Sequence, residues 1–342
     1  MIRKRIITLG LMFSMAVGVM VGCSKETSND NAGTKVSITN VSYDPTRELY
    51  EAYNSEFSRY WKEKTGEEVE IIQSHGGSSK QARSVIEGNE ADVVTLALAQ
   101  DITALEEAGM IEEGWISEFD RNSSPYTSTI VFLVRKGNEK NINDWDDLVR
   151  DGIEVITPNP KTSGGARWNF LAAWAFAKAE FKDDEEKVKE FVKTLYKNVI
   201  VLDSGARGAT TTFVENRQGD VLIAWENEAY LSVKEHPDEF EIITPSISIL
   251  AEPSVAVVDE VVNKRNTKEV AIAYLEYLYS DVAQHIAADN YYRPSDEVIL
   301  KEYADVFDLN INLVTIDDFG GWKSAYEKFF DDGAIFEQIY SE

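Results

Sequence analysis

The sequence predicts an α/β protein built on two sheets, each mostly parallel and flanked by helices. Three observations carry that reading. Apolar strand-like runs alternate with amphipathic helical segments along most of the chain, the order that builds parallel sheets. The run 92–99, DVVTLALA, is almost continuously apolar, as strands covered on both faces are. The chain has 342 residues, too many for one ordinary core and enough for two.

The elements follow in order. KVSITNVSYD (35–44) reads as the first strand. TRELYEAYNSEFSRYWKEKTG (46–66) reads as a helix with Leu49, Tyr53, Phe57 and Tyr60 on one face. EEVEIIQS is a strand, and SKQARSVIEG is a short helix with a glycine stop. After DVVTLALA, further strands are expected at TSTIVFLVRKG, IEVIT, VIVLDS, DVLIAWE and FEIIT. The sequence shows no tandem repeat.

The N-terminus reads differently. Arg3, Lys4 and Arg5 precede an apolar run that ends in GC at Gly22–Cys23, the pattern of a secretory leader. Cys23 is the only cysteine, so no internal disulfide can form, and it stands where a bacterial lipoprotein signal places its lipidated residue. We therefore expect a signal peptide at 1–22, a lipid anchor on Cys23 and a flexible tether over 23–35. The net charge is −26. Removing 1–22 takes away three basic and no acidic residues and deepens it to −29. Such a surface excludes nucleic acid as a partner and repels anionic lipid, which leaves the anchor as the only membrane contact.

One pattern occurs three times: an apolar strand, a turn of small residues, then a helix start. The instances are IIQSHGGSSKQARSVI, VITPNPKTSGGARWNFLAAW and VLDSGARGATTTFVE. Helix starts offer unpaired N–H groups and a partial positive charge, and ligands of open α/β sheets bind beyond the carboxyl ends of strands. Candidate anion donors are Ser78, the bare turn Ser163–Gly164–Gly165, and Ala206. Trp225 adds an indole N–H, which can only donate. Arg167 and Arg207 each follow a small-residue helix start, and His75 precedes GGS. Each also has an ordinary use: a serine N-cap, a tight turn, a core tryptophan, a surface arginine. Catalytic residues are not expected, since neither G-x-S-x-G nor H-E-x-x-H occurs. The three histidines, at 75, 236 and 285, show no metal spacing, and no cofactor or metal is expected.

Taken jointly and in order, NVSYDPTRELYEAYN, QSHGGSSKQA, ADVVTLALA, PYTSTIVFLVRKGN, VITPNPKTSGGARWN, VLDSGARG, DVLIAWENEA, ILAEPSVAVVD, YYRP and FGGW closely resemble the bacterial sulfate-binding proteins. These are the extracytoplasmic receptors of sulfate/thiosulfate ABC transporters. The resemblance runs from about Ser37 almost to the C-terminus. It implies a type II periplasmic-binding-protein fold with a ligand cleft between two lobes, 36–120 with about 246–342, and about 121–245. It implies a dehydrated dianion held by neutral donors: the backbone of Ser78, Gly164, Gly165 and Ala206, the Ser163 hydroxyl and the Trp225 indole. Asp44, His75, Arg167 and Arg207 would stand behind, bonded to the ligand-binding peptides. It also implies a monomer that hands its anion to permease subunits. The ligand is sulfate, with thiosulfate, phosphate or molybdate as alternatives, and an enzyme of the same architecture as the contrasting class. Ser79 and Thr162 depart from the commonest pattern, which has glycine and serine there, without replacing a donor.

Overall fold

The structure, a computed structural model, describes residues 35–341. The expected leader 1–22, Cys23 and the tether up to residue 34 lie outside the described residues.

Among the described residues, the two larger sheets are built from nine strands: β1 (Lys35–Tyr43), β2 (Glu68–Gly76), β3 (Val93–Leu96), β4 (Ile130–Arg135), β5 (Val155–Pro158), β6 (Val199–Asp203), β7 (Val221–Trp225), β8 (Phe240–Ile243) and β9 (Ser254–Val257). The first sheet has the order β9-β3-β1-β2 and the second β6-β5-β7-β4-β8. β1 runs parallel to β2 and β3, and β5 runs parallel to β6 and β7. β4 and β9 are antiparallel to their neighbours. The reason is connectivity. Both strands lie just beyond the segments that cross from one sheet to the other. Those segments run side by side: Ser128 and Ala251 exchange two backbone hydrogen bonds of 2.9 Å. Next to them, buried Ser248 Oγ donates to Ile130 O (2.7 Å) and accepts from Ile130 N (3.1 Å).

Among the described residues, thirteen helices of six or more residues accompany the sheets. They are α1 (Arg47–Thr65), α2 (Ser78–Ile86), α3 (Ala99–Glu107), α4 (Gly164–Glu180), α5 (Glu185–Lys197), α6 (Ala206–Val214), α7 (Glu226–Glu235), α8 (Asp259–Arg265), α9 (Lys268–Tyr277), α10 (Asp281–Asp289), α11 (Glu297–Glu302), α12 (Gly321–Phe329) and α13 (Ile335–Ser341). α1 buries Leu49, Tyr53, Phe57 and Trp61, one residue every i+4. Trp61 takes the place expected for Tyr60, which is only half-buried and stacks on Tyr277 with ring centroids 4.2 Å apart. α4 is buried all the way from Gly164 to Ala177. A helix apolar on every side needs cover on every side, and the C-terminal helices supply part of it. Phe170 meets Phe329, Phe330 and Phe336, and Trp168 packs edge-on to Trp322 at 4.6 Å. Among the described residues, no helix is long and apolar enough to cross a membrane.

Candidate anion-binding site

α2, α4 and α6 begin where β2, β5 and β6 end, after turns of one, five and two residues. Their first N–H groups have no partner inside the helix. For α2 and α6 the N-caps are Gly77 and Gly205, which offer no side chain to those groups. Ser163 caps α4, its Oγ accepting from Ala166 N at a long 3.4 Å. The three ends meet at a small cavity lined by Tyr43, Asp44, Pro45, Gly77, Ser78, Ser163, Gly165 and Ala206.

Four of the expected donors, Ser78, Ser163, Gly165 and Ala206, therefore share one cavity. Gly164 lies at its edge, packed so tightly that a Cβ on it would stand 2.9 Å from the Cβ atoms of Ser78 and Ala97. Trp225 closes β7 fully buried, with its Nε1 3.4 Å from Gly165 O. The indole is thus held against the same turn by a weak bond that a better acceptor could displace.

Asp44 was expected behind the cavity, yet it lines the cavity, together with Tyr43 and Pro45. It opens a 3₁₀ turn that leads into α1, so its own N–H belongs to a fourth helix start. Its carboxylate pairs with Arg47 at 3.1 Å.

His75, Arg167 and Arg207 do not line the cavity. His75 Nδ1 lies 3.4 Å from Thr46 Oγ1 and 3.5 Å from Tyr43 O. Burial, reinforced by the Arg47 charge, pushes its pKa down to about 4, so the imidazole is neutral at pH 7. Arg167 is 4% exposed and donates from Nε to Pro160 O at 2.9 Å. Its charge faces Asp101 at 3.5 Å and lies over the Tyr326 ring. Asp101 in turn accepts from Ser78 Oγ (2.5 Å) and Ser79 Oγ (2.9 Å). Arg207 makes two 2.9 Å bonds to Glu48 and a 3.0 Å contact to Glu228. Burial raises Glu228 to about 7 against the opposing pull of Arg207 and a 2.8 Å bond from Thr210.

Both arginines are therefore neutralised by carboxylates, and neither lines the cavity. The groups that do line it are neutral apart from Asp44. Sequence reasoning missed Asp101, Glu48 and Glu228. Among the described residues, no group of His, Cys, Asp and Glu is placed to hold a metal ion.

Residues 41–293 match the family model described as bacterial extracellular solute-binding protein. The chain belongs to that family. It is 61% identical over 306 residues to the sulfate-binding protein of Escherichia coli (strain K12), covering 89% of this chain and 93% of that protein. It is 49% identical over 307 residues to a thiosulfate-binding protein of Pseudomonas aeruginosa, covering 89% of this chain and 92% of that one. Among solved structures, the sulfate-binding protein SubI from Mycobacterium tuberculosis H37Rv superposes with a TM-score of 0.79 at 35% identity, over 86% of this chain and 100% of that chain. The two sheets and the crossing segments are those of the two-lobed fold of periplasmic solute-binding proteins.

Proposed function

We propose that this family member is a binding protein, not an enzyme, that captures sulfate outside the cytoplasmic membrane and delivers it to the permease of an ABC importer. The observation that carries the proposal is the meeting of three helix starts, two of them capped only by glycine, at one small cavity that no cation enters. The anion is held by the backbone N–H groups of Ser78, Gly164, Gly165 and Ala206, the Ser163 hydroxyl and the Trp225 indole. The N–H of Asp44 joins them. Asp44, His75, Arg167 and Arg207 orient the peptides that carry these donors. A hydrogen bond to a charged group contributes about 1.5–3 kcal/mol net. Several together exceed the ~8 kcal/mol of micromolar binding, and the surplus offsets the lost hydration. The first lobe comprises 36–120 with the segment from about 246, and the second about 121–245. The packing of α12 and α13 on α4 and α5 supports placing 321–341 with the second. The lipid anchor on Cys23 keeps the receptor at the membrane.

The test is calorimetric titration of residues 24–342, freed of anion, with sulfate, thiosulfate and phosphate at pH 7. One-to-one sulfate binding with phosphate silent is expected. Phosphate at pH 7 carries a proton, and the donors leave that proton without an acceptor as long as the Asp44 carboxylate stays paired with Arg47. If phosphate binds as well, the Asp44 carboxylate is the acceptor. Silence toward all three sinks the proposal. The 49% identity to a thiosulfate-binding protein favours thiosulfate as the second ligand, and its affinity relative to sulfate decides which reading holds.

A further inference from the structure

Three glycines of the cleft are not required by the backbone. Gly77 (φ −57°) and Gly205 (φ −161°) have conformations open to any residue, and Gly164 opens a regular helix. What each lacks is room. A Cβ on Gly77 would stand 2.6 Å from Thr162 O and 3.3 Å from Ser204 O. On Gly164 it would stand 2.9 Å from the Cβ atoms of Ala97 and Ser78. On Gly205 it would run into the Asp44 carboxylate.

In each case the obstructing atoms come from the other side of the cleft. Gly77 follows β2 of the first sheet, and it meets the turns that follow β5 and β6 of the second. Gly164 and Gly205 follow second-sheet strands, and they meet residues that follow β2, β3 and β1 of the first. Gly165 and Gly208 behave differently. A Cβ there would meet Trp225 and Asp203, which belong to their own sheet.

We infer that Gly77, Gly164 and Gly205 are positioning residues for closure, glycines because the two halves of the cleft touch at these points. The inference rests on the sulfate reading. A methyl group on Gly77 has to back off by about 0.8 Å to reach ordinary contact at 3.4 Å, and Thr162 O is backbone that cannot turn away. The donors stand on both sides of this contact. Moving one side by that distance takes its N–H groups out of the range in which one anion is held by all of them. The obstruction exists only when the halves meet, so the ligand-free protein tolerates the substitution.

The experiment compares wild type, G77A, G205A, D44A and the double variant D44A/G205A. Calorimetry with sulfate is combined with thermal unfolding in its absence. G77A and G205A should unfold at the wild-type temperature yet bind sulfate about 10- to 100-fold more weakly. Deleting the Asp44 carboxylate removes the obstacle at Gly205. The double variant should therefore bind within about threefold of D44A alone. Wild-type affinity in G77A and G205A overturns the inference, as does a lowered unfolding temperature without sulfate, which would make these glycines requirements of the fold. A full penalty in the double variant overturns it for Gly205. If the wild type itself gives no heat with sulfate, the sulfate reading fails and the inference falls with it.

Discussion

At the scale of single residues, two buried groups behind the cavity give opposite pH signatures. His75 is held down to about 4, below its unfolded value near 6.5. Between those pH values the unfolded chain binds the extra proton, so this group makes stability fall as pH falls. Glu228 is raised to about 7, above its unfolded value near 4.5. In that window the folded chain holds the extra proton, so this group makes stability rise as pH falls. Glu228→Gln should therefore steepen the loss of stability between pH 7 and 5, and His75→Asn should shallow it. Urea unfolding of ligand-free protein at several pH values checks both, and slopes unchanged from wild type refute the assignment. Trp225→Ala gives a second test. It deletes one donor to a charged ligand, which contributes about 1.5–3 kcal/mol, and so should weaken sulfate binding about 10- to 100-fold. Calorimetry at unchanged affinity removes Trp225 from the site. The helix starts that carry the proposed donors were legible in the sequence because turns of glycine and small residues are strong local signals. Asp101, Glu48 and Glu228 were not, because 60 acidic residues give carboxylates no contrast. What sets these three apart is that each pairs with Arg167 or Arg207, and that pairing is a property of the fold.

At the scale of elements, the helix starts do two jobs that can be separated. Ser163 caps α4 and, in the proposed site, offers its hydroxyl to the ligand. Asp184 caps α5 from a surface position, accepting from Lys187 N at 3.4 Å, far along the chain from any proposed donor. Ser163→Ala and Asp184→Ala should each lower stability by about 1 kcal/mol. Only Ser163→Ala should weaken sulfate binding. Denaturant unfolding and calorimetry on the two variants decide it, and equal affinities leave Ser163 with a capping role alone. The sequence showed where these helices start, since caps and glycine turns are local signals. It did not show strand direction. β4 has the same apolar run whether its partners are parallel or antiparallel, and only the crossing at Ser128–Ala251 fixes which. The choice of Trp61 over Tyr60 was also hidden, because both fit a helical stripe and both rings lie 6.0 Å from Phe57; only the depth of burial, 3% exposed for Trp61, separates them.

At the scale of the whole molecule, a receptor for a dianion carries a charge of −26. The two facts are compatible only if the anion is held at short range. Backbone donors act over a hydrogen-bond length, whereas the field of the surface acts over a Debye length, about 30 Å at 10 mM salt and about 8 Å at 150 mM. In a site built around an exposed arginine, added salt would weaken attraction and slow capture. Here Arg167 and Arg207 are paired with Asp101, Glu48 and Glu228, so neither offers an unpaired charge whose attraction salt would screen. Salt screens only the repulsion between the acidic surface and the incoming dianion. The association rate of sulfate should therefore rise, by roughly two- to tenfold, as sodium chloride goes from 10 to 150 mM. The dissociation rate, set by contacts inside the closed cavity, should stay nearly constant. Stopped-flow tryptophan fluorescence measures both rates. A rate of capture that falls with salt would mean that a cation guides the anion in, and the donor-only account of the site would have to be abandoned.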